Sequence, residues 1–462
     1  MEQSKIKIGL EIHGYLTTQE KLFCRCPTNY KTAEINTNIC PVCTAQPGSK
    51  PMLPNHEALK KVIAISLMLG CKISDLPLIW QRKHYDWPDL PKGFQDTTSG
   101  AYAVPVGTDG EFLGISIHHV HIEEDPARWD PETGDIDYNR CGMPLVEIVT
   151  NPEFKDSKQA REWLNHLVLT LSYIKALDKD AGIKADVNVS VNFEGRQGDR
   201  VEVKNLNSIA SIEKAIDYEI MRQIEVLKKG EKIKRETRTF SDIQKVTIAM
   251  RAKEETEEYR YIPDPDLPLV EINKKEVAEI EKTIPESPKA KINRFVSKYG
   301  IDEKAARVLA SSMELADFFE KIAKKTSPKL AAYWTTIELL RILNWNKKEL
   351  NEVKIEPEHF IELLELLENK KITEEVAKHT LNKFIPKSFS PKSKLKNAER
   401  ITDKNELEVV CLQVFKNNEK AVQDYKGGEE KALHFLIGQA MAATKGRADI
   451  KTVREIILKK LH

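Results

Sequence analysis

Residues Asp186 to Phe193 alternate without a fault: Val187, Val189, Val191 and Phe193 face one way, while Asp186, Asn188, Ser190 and Asn192 face the other. Period two over eight residues predicts a strand with one buried face and one polar face. The same reading gives strands through Ile6, Leu10 and Ile12, over Ile115–Glu124, over Met143–Val149, and through Val201 and Val203 to Lys204. Helical spacing covers only Ser157–Leu177 and Ser208–Lys229 in this region, each opening with a serine suited to N-capping. Many strands and few intervening helices predict an α+β fold, its N-terminal domain a mostly antiparallel sheet.

The rest of the chain reads differently. Pro285 to Lys289 marks a boundary, the pattern is helical from Ala290 to about Ile385, and the prolines and serines between Pro386 and Ser393 form a linker. A second helical unit fills Asp403–His462. These breaks divide the 462 residues into a strand-rich N-terminal domain over 1–290, a helical domain over 291–392 and a helical tail over 393–462. The formal net charge of +1 gives no global field, but residues 386–462 hold 16 Lys and Arg against 10 Asp and Glu, an excess of +6 that leaves −5 for the remainder. A basic tail suits RNA, and equally a merely soluble helix surface. No signal peptide or apolar run of membrane-spanning length is present, so a cytoplasmic protein with reduced thiols is expected.

Two constellations carry chemistry. Cys24 and Cys26 form one close pair, and Cys40 and Cys43 a second after thirteen residues, with Pro41 inside the turn. Two such pairs can set four thiolates tetrahedrally around Zn²⁺, in a closed site that is structural rather than catalytic. Cys71, Cys141 and Cys411 lack such partners and read as buried small side chains. The second constellation is acidic. Glu11 and His13 share the polar face of the first strand, Glu123, Glu124 and Asp125 end the second, Glu147 interrupts the apolar run Pro144–Val149, and Asp186 and Asn188 occupy the polar face of the fourth. A carboxylate inside an apolar strand is costly unless paired or metal-bound. Oxygen ligands with one imidazole suit Mg²⁺ or Mn²⁺ better than Zn²⁺, although solvated edge charges would give the same pattern.

Between the first two strands lies a stiff cationic loop, Arg82 to Gln95, with Lys83, His84, Tyr85, Pro88, Pro91 and Lys92. Cations beside a carboxylate-held metal fit phosphate. Lys204, Asn205 and Ser208 end a strand and open a helix, and Arg251, Lys253, Tyr259, Arg260 and Tyr261 add further cations and aromatics. No phosphate-binding loop, dinucleotide fingerprint, kinase signature, nucleophile elbow or HExxH motif occurs.

In order along the chain stand GLEIH (Gly9–His13), CRC and CPVC (Cys24–Cys43), PDLPKGFQ (Pro88–Gln95), HIEED (His121–Asp125), DYNRCGMPLVEIV (Asp137–Val149), DVNVSV (Asp186–Val191), EVKNLNS (Glu202–Ser208), YRYIPDPDLP (Tyr259–Pro268) and DYKGGEEKALHFLIGQAMAATKGRA (Asp424–Ala448). This set resembles GatB, the B-subunit family of the aspartyl/glutamyl-tRNA amidotransferases, over nearly the whole length. The resemblance implies that ATP and Mg²⁺ activate the side-chain carboxyl of a misacylated Asp-tRNA or Glu-tRNA, and that ammonia then forms the amide. It implies an amidase-like A subunit as glutaminase and ammonia source, a small C subunit completing a heterotrimer, and helical domains that grip the tRNA. Carried over residue by residue, His13, Glu124 and Glu147 would hold Mg²⁺, with Glu11, Glu123 and Asp186 beside them, Tyr85, Lys92, Lys204 and Asn205 at the phosphate or acyl group, and the four cysteines as a zinc knuckle. Gln81, His84, Pro126 and Lys184 depart from the family pattern. Two other readings are a non-catalytic tRNA-binding scaffold, against which the retained acids speak, and the archaeal E-type subunit, whose inserted domain has no room here.

Overall fold

The computed structural model describes residues 5–177, 182–250, 259–395 and 399–461, so Arg251 and Lys253 of the cationic set lie outside the described residues. Residues 1–287 form one compact unit and 288–462 another.

In the first unit the alternating segments become one sheet, thirteen-stranded among the described residues. Ten of its strands run as β1 (Lys5–Tyr15), β2 (Gln81–His84), β3 (Phe94–Thr97), β4 (Ile115–Glu124), β5 (Pro144–Thr150), β6 (Ile183–Phe193), β7 (Val201–Leu206), β8 (Glu236–Ser241), β9 (Val246–Ala249) and β10 (Arg260–Pro263). Their spatial order is β9-β8-β7-β6-β1-β5-β4-β3-β2-β10. Every pairing along that path is antiparallel except β7 with β8, so the sheet is mixed but mainly antiparallel, as the strand-rich pattern predicts.

Periodicity fixes which face is dry. Ile8, Leu10 and Ile12 of β1, Val120 and Ile122 of β4, Val146 and Ile148 of β5, and Val187, Val189 and Val191 of β6 are all buried in one core. Each such side chain removed from water contributes about 1.5–3 kcal/mol before conformational entropy is subtracted. Helices α1 (His56–Met68), α2 (Ser157–Tyr173) and α3 (Ile209–Lys228) contribute to that core, and Trp163 of α2 is pinned by an Nε1–H bond to the Phe112 carbonyl at 2.7 Å. With one face packed, the acidic face remains for chemistry.

Several elements differ from the expectation. Asp156, not Ser157, caps α2, accepting from the Gln159 amide at 2.8 Å, and the helix stops at Tyr173, short of Leu177. The Arg82–Gln95 segment is not a loop throughout; its ends pair as the β2–β3 hairpin and only its middle is irregular. Helix α1 is an addition to the expected elements, although Asn55 caps it and Leu59, Val62 and Ile63 follow helical spacing.

The second unit is helical. Aromatic packing organises one cluster, in which Phe295, Phe319, Phe360, Trp334 and Phe384 are fully buried. A separate cluster joins Leu407, Cys411, Leu436, Ala440, Val453 and Ile457.

Candidate active site

Strand register decides which polar side chains meet. His13 on β1 lies opposite Glu147 on β5, which lies opposite His121 on β4. Three adjacent strands thus put one row of ionisable groups on the open face. His13 Nε2 is 3.1 Å from Glu147 Oε2 and 3.7 Å from Glu123 Oε1. His121 Nε2 is also 3.1 Å from Glu147 Oε2, in ion-pair range but not in hydrogen-bonding geometry. Lys83 Nζ closes the group at 4.0 Å from Glu123 Oε2. One ligand atom from each of His13, Glu123 and Glu147 falls within 4.8 Å of the others.

The charges support one another. Burial opposes ionisation of Glu147, but His121 and His13 outweigh it and hold its carboxyl well below the usual carboxylate range. Burial likewise acts against both imidazolium ions, yet Glu147 and Glu123 raise His13 and His121 to about 9. Burial and the neighbouring His121 push His119 down to about 3.

A second acidic group lies beside it. Glu11 is opposite Asp186 across β1–β6, and Asn188 is opposite Glu202 across β6–β7. Glu11, Asp186 and Glu202 offer ligand atoms within 4.8 Å of one another. Lys204 Nζ reaches Glu202 at 3.0 Å and Asp186 at 3.4 Å, and Asn188 Nδ2 donates to Glu11 at 2.9 Å. Asn205 adopts a left-handed backbone (φ +63°), one of the few residue types that does so readily, and its amide donates to Asp186 Oδ1 at 2.9 Å. Burial first, then the charges of Glu147, Glu202 and Asp186, raise the Glu11 carboxyl above its ordinary value.

A third group gathers around Lys92. Its Nζ contacts Asp96 Oδ2 at 2.6 Å and Glu124 Oε1 more closely still, while the Asp96 amide donates to Glu124 Oε1 at 3.0 Å. Tyr85 Oη donates to Gln95 Oε1 at 3.2 Å, and Gln95 Nε2 donates to the Glu124 carbonyl at 2.5 Å.

Of the three residues that the resemblance implies as Mg²⁺ ligands, two fall in one group and the third in another. His13 and Glu147 meet, but Glu123 stands with them, whereas Glu124 is paired with Lys92. Alternation is the reason: His121 and Glu123 share the face of His13 and Glu147, and Glu124, one residue on, takes another direction as β4 ends. Lys83 of the cationic loop joins the site, and so do His121 and Glu202, which were not among the expected site residues. His121 and Glu202 were legible in principle, since each lies two residues from a polar neighbour on its own strand, Glu123 or Lys204. Of the departures from the family pattern, Gln81 is buried on β2, His84 packs on Phe94 at 5.3 Å, and Pro126 accepts from Arg140 Nε at 3.1 Å. Lys184 Nζ donates to Tyr15 Oη at 3.3 Å.

The four cysteines of the two pairs converge as well: their sulfurs lie within 4.8 Å of one another. Cys40 and Cys43 sulfurs are 3.8 Å apart, and the Cys40 amide donates to Cys43 Sγ at 3.2 Å. Four sulfurs this close, none in a disulfide, are a donor set that fits a thiophilic divalent ion such as zinc. Cys71, Cys141 and Cys411 are buried.

Comparison with known proteins shows the family. The domain described as the GatB/GatE catalytic domain matches residues 6–278, and the GatB domain matches residues 317–461. Three archaeal relatives are each named as the B subunit of an aspartyl/glutamyl-tRNA(Asn/Gln) amidotransferase. That of Methanocaldococcus jannaschii is 46% identical, covering 100% of this chain and 99% of its own. That of Methanococcus maripaludis is 45% identical with the same coverage, and that of Methanosphaera stadtmanae 44% identical over 98% and 99%. The chain belongs to the GatB family. All three polar groups and the four cysteines lie inside the stretch matched to the GatB/GatE catalytic domain. Among the described residues no helix is long and apolar enough to cross a membrane.

Proposed function

We propose that this GatB-family chain is the component of a tRNA-dependent amidotransferase that activates the side-chain carboxyl of misacylated Asp-tRNA(Asn) or Glu-tRNA(Gln) with ATP and passes it to ammonia. The observation that carries this reading is the meeting of His13, Glu123 and Glu147 from three adjacent strands, beside a set of buried ammonium groups. Glu123 Oε2 is buried without a hydrogen-bond partner, so coordination capacity remains there for a hard cation. His13, Glu147 and Glu123 would hold Mg²⁺. Glu124, the ligand implied by the family, would join them when Lys92 turns from it to a phosphate. The ion would neutralise charge on the polyphosphate, the main requirement of phosphoryl transfer.

The chain's own residues supply the rest. Lys83, Lys92 and Lys204 are held in their charged forms by neighbouring carboxylates, against the effect of burial, and can bind phosphate oxygens. Tyr85 and Asn205 orient the acyl group. A carboxylate oxygen of the aminoacyl side chain attacks the γ-phosphorus, and the bridging P–O bond breaks with its electrons leaving on ADP. Ammonia then attacks the carbonyl carbon, the C–O bond to phosphate breaks, and inorganic phosphate departs. The surplus proton on nitrogen passes to a carboxylate of this face; Glu11, raised above its ordinary value chiefly by burial, is suited to take it. Ammonia comes from an amidase-like A subunit acting on glutamine, with a small C subunit in the assembly, and residues 291–392 and 393–462 bind the tRNA body.

The test is ADP release that depends on misacylated tRNA. Glu147→Gln and Glu124→Ala should each abolish it while leaving tRNA affinity within about threefold. Unchanged ADP release in both variants would remove the metal and ATP site from this face.

A further inference from the structure

Lys21 is only 1% exposed, yet among the described residues no carboxylate lies within ion-pair distance of its ammonium. Its Nζ has three neighbours: the Asn38 carbonyl at 2.8 Å, the Tyr138 carbonyl at 3.3 Å and Cys43 Sγ at 3.7 Å. A buried ammonium without a counter-charge is strongly disfavoured, and two carbonyl dipoles do not replace an anion. Of these three hydrogen-bond neighbours, only the sulfur can carry negative charge; the Glu124 carboxylate lies beyond ion-pair distance. Conversely, four thiolates around a divalent ion leave a net charge of −2, and Cys24, Cys26 and Cys43 are themselves buried. Each of these two costs is met by the other.

We propose that Lys21 is the counter-cation of the cysteine metal centre, donating an N–H···S bond to Cys43 and tying the centre to the turn that supports the acidic face. The inference rests on the reading of the four cysteines as a metal site and goes beyond it. The tie is continuous. Tyr138 accepts from Lys21, Cys141 Sγ donates to the Cys43 carbonyl at 3.1 Å, and the Gly142 amide donates to the Asp125 carbonyl at 2.9 Å. The Asp125 amide in turn donates to the Met143 carbonyl at 2.9 Å, between Glu124 on one side and the start of β5, which carries Glu147, on the other. Lys21 is therefore a positioning residue: its ammonium contacts two backbone carbonyls and a cysteine sulfur, and acts through this turn.

The experiment uses the full chain, loaded with zinc alone, and compares the parent with Lys21→Met and Lys21→Arg. Zinc per chain is measured by elemental analysis, and its release by transfer to a colorimetric chelator. Removing an outer partner of a metal ligand typically weakens binding 10- to 100-fold, so Lys21→Met should release zinc roughly 10- to 100-fold faster, and Lys21→Arg within about threefold of the parent. A second readout separates charge compensation from plain packing. Relative to the parent, Lys21→Met should lower the melting temperature of the zinc-loaded chain and raise that of the zinc-stripped chain, where the ammonium has lost its anion. Parent-like release from Lys21→Met, or shifts of the same sign in both states, overturns the proposal. A parent that takes up no zinc sinks the metal reading and this one with it, whereas a zinc-loaded parent with an indifferent Lys21→Met sinks this one alone. Should Lys21→Met fail to fold with zinc, Lys21→Gln, neutral and polar, faces the same two outcomes.

Discussion

Replacing Lys92 by Met tests the charge balance on which the acidic face depends. The Lys92 side chain is 15% exposed, Asp96 1% and Glu124 5%, so all three charges are largely out of water. At 2.6 Å from Asp96, and with an effective dielectric constant near 20, the Coulomb attraction of that pair alone is about 6 kcal/mol. Desolvation of the ammonium cancels several kcal/mol of this, and breaking a buried pair by removing one partner costs about 3–5 kcal/mol net. Methionine keeps most of the volume, so the change in packing adds little. Without Lys92 the two carboxylates face each other, and one must bind a proton. Burial, then the charge of Glu124, already raise Asp96 well above the ordinary range, and only Lys92 opposes them strongly. A carboxyl raised in the folded state contributes stability that is fully present below the unfolded value near 4 and is lost as pH rises. The penalty of Lys92→Met should therefore be small near pH 5 and reach about 3–5 kcal/mol by pH 8. Amide hydrogen exchange reads this locally: in the Phe94–Thr97 strand, 3 kcal/mol corresponds to roughly 10²-fold faster exchange after correction for the intrinsic rate. The double variant Lys92→Met, Glu124→Gln should recover most of the loss. Exchange within about threefold of the parent at pH 8, or a penalty equal at pH 5 and pH 8, would refute the reasoning.

Other expectations follow from the same structure. Glu219 is fully buried and accepts from Arg222, from Gln223 Nε2 at 2.9 Å and from Thr247 Oγ1 at 2.9 Å, so Glu219→Ala should destabilise residues 5–287 by about 3–5 kcal/mol, seen as a lower urea midpoint; a midpoint within about 0.2 M of the parent (roughly 0.5 kcal/mol at ordinary m-values) would contradict it. Burial raises Asp89 to about 6 despite Arg140, so its contribution is complete below about pH 4 and gone above about pH 6. Asp89→Asn should thus stabilise by about 1–2 kcal/mol at pH 8, allowing for screening at the site rim, with no gain near pH 4; a gain equal at both would exclude titration as the cause. Removing residues 399–462 should weaken tRNA binding and flatten its salt dependence by roughly 0.7–0.9 in the log–log slope for every phosphate that the tail neutralises. An unchanged slope in a filter-binding titration would return the tail's excess charge to solubility.

Much of this site was legible in one dimension. The valines of Asp186–Phe193 announced a half-buried strand, because side-chain alternation is a property of consecutive residues and needs no partner. The same alternation, followed strictly, already placed Glu123 rather than Glu124 on the face of His121; the motif resemblance pointed to the neighbouring residue. The spacing of Cys24, Cys26, Cys40 and Cys43 announced four sulfurs around one point, because short loops leave few other arrangements. Helix ends were displaced by a residue or more, as at Asp156, where two capping residues stand side by side and the backbone selects one.

What sequence periodicity could not choose was partnership across strands. His13 and Glu147 are 134 positions apart, and Glu11 meets Asp186 only because β1 pairs with β6 in one register out of many. The local pattern states which face each acid occupies. Which acids then share an ion, and which are neutralised by Lys92, Lys83 or Lys204, are set by how the strands and the loops between them come together. A shift of two residues there would leave every buried apolar side chain on the dry face, yet give each carboxylate a different neighbour.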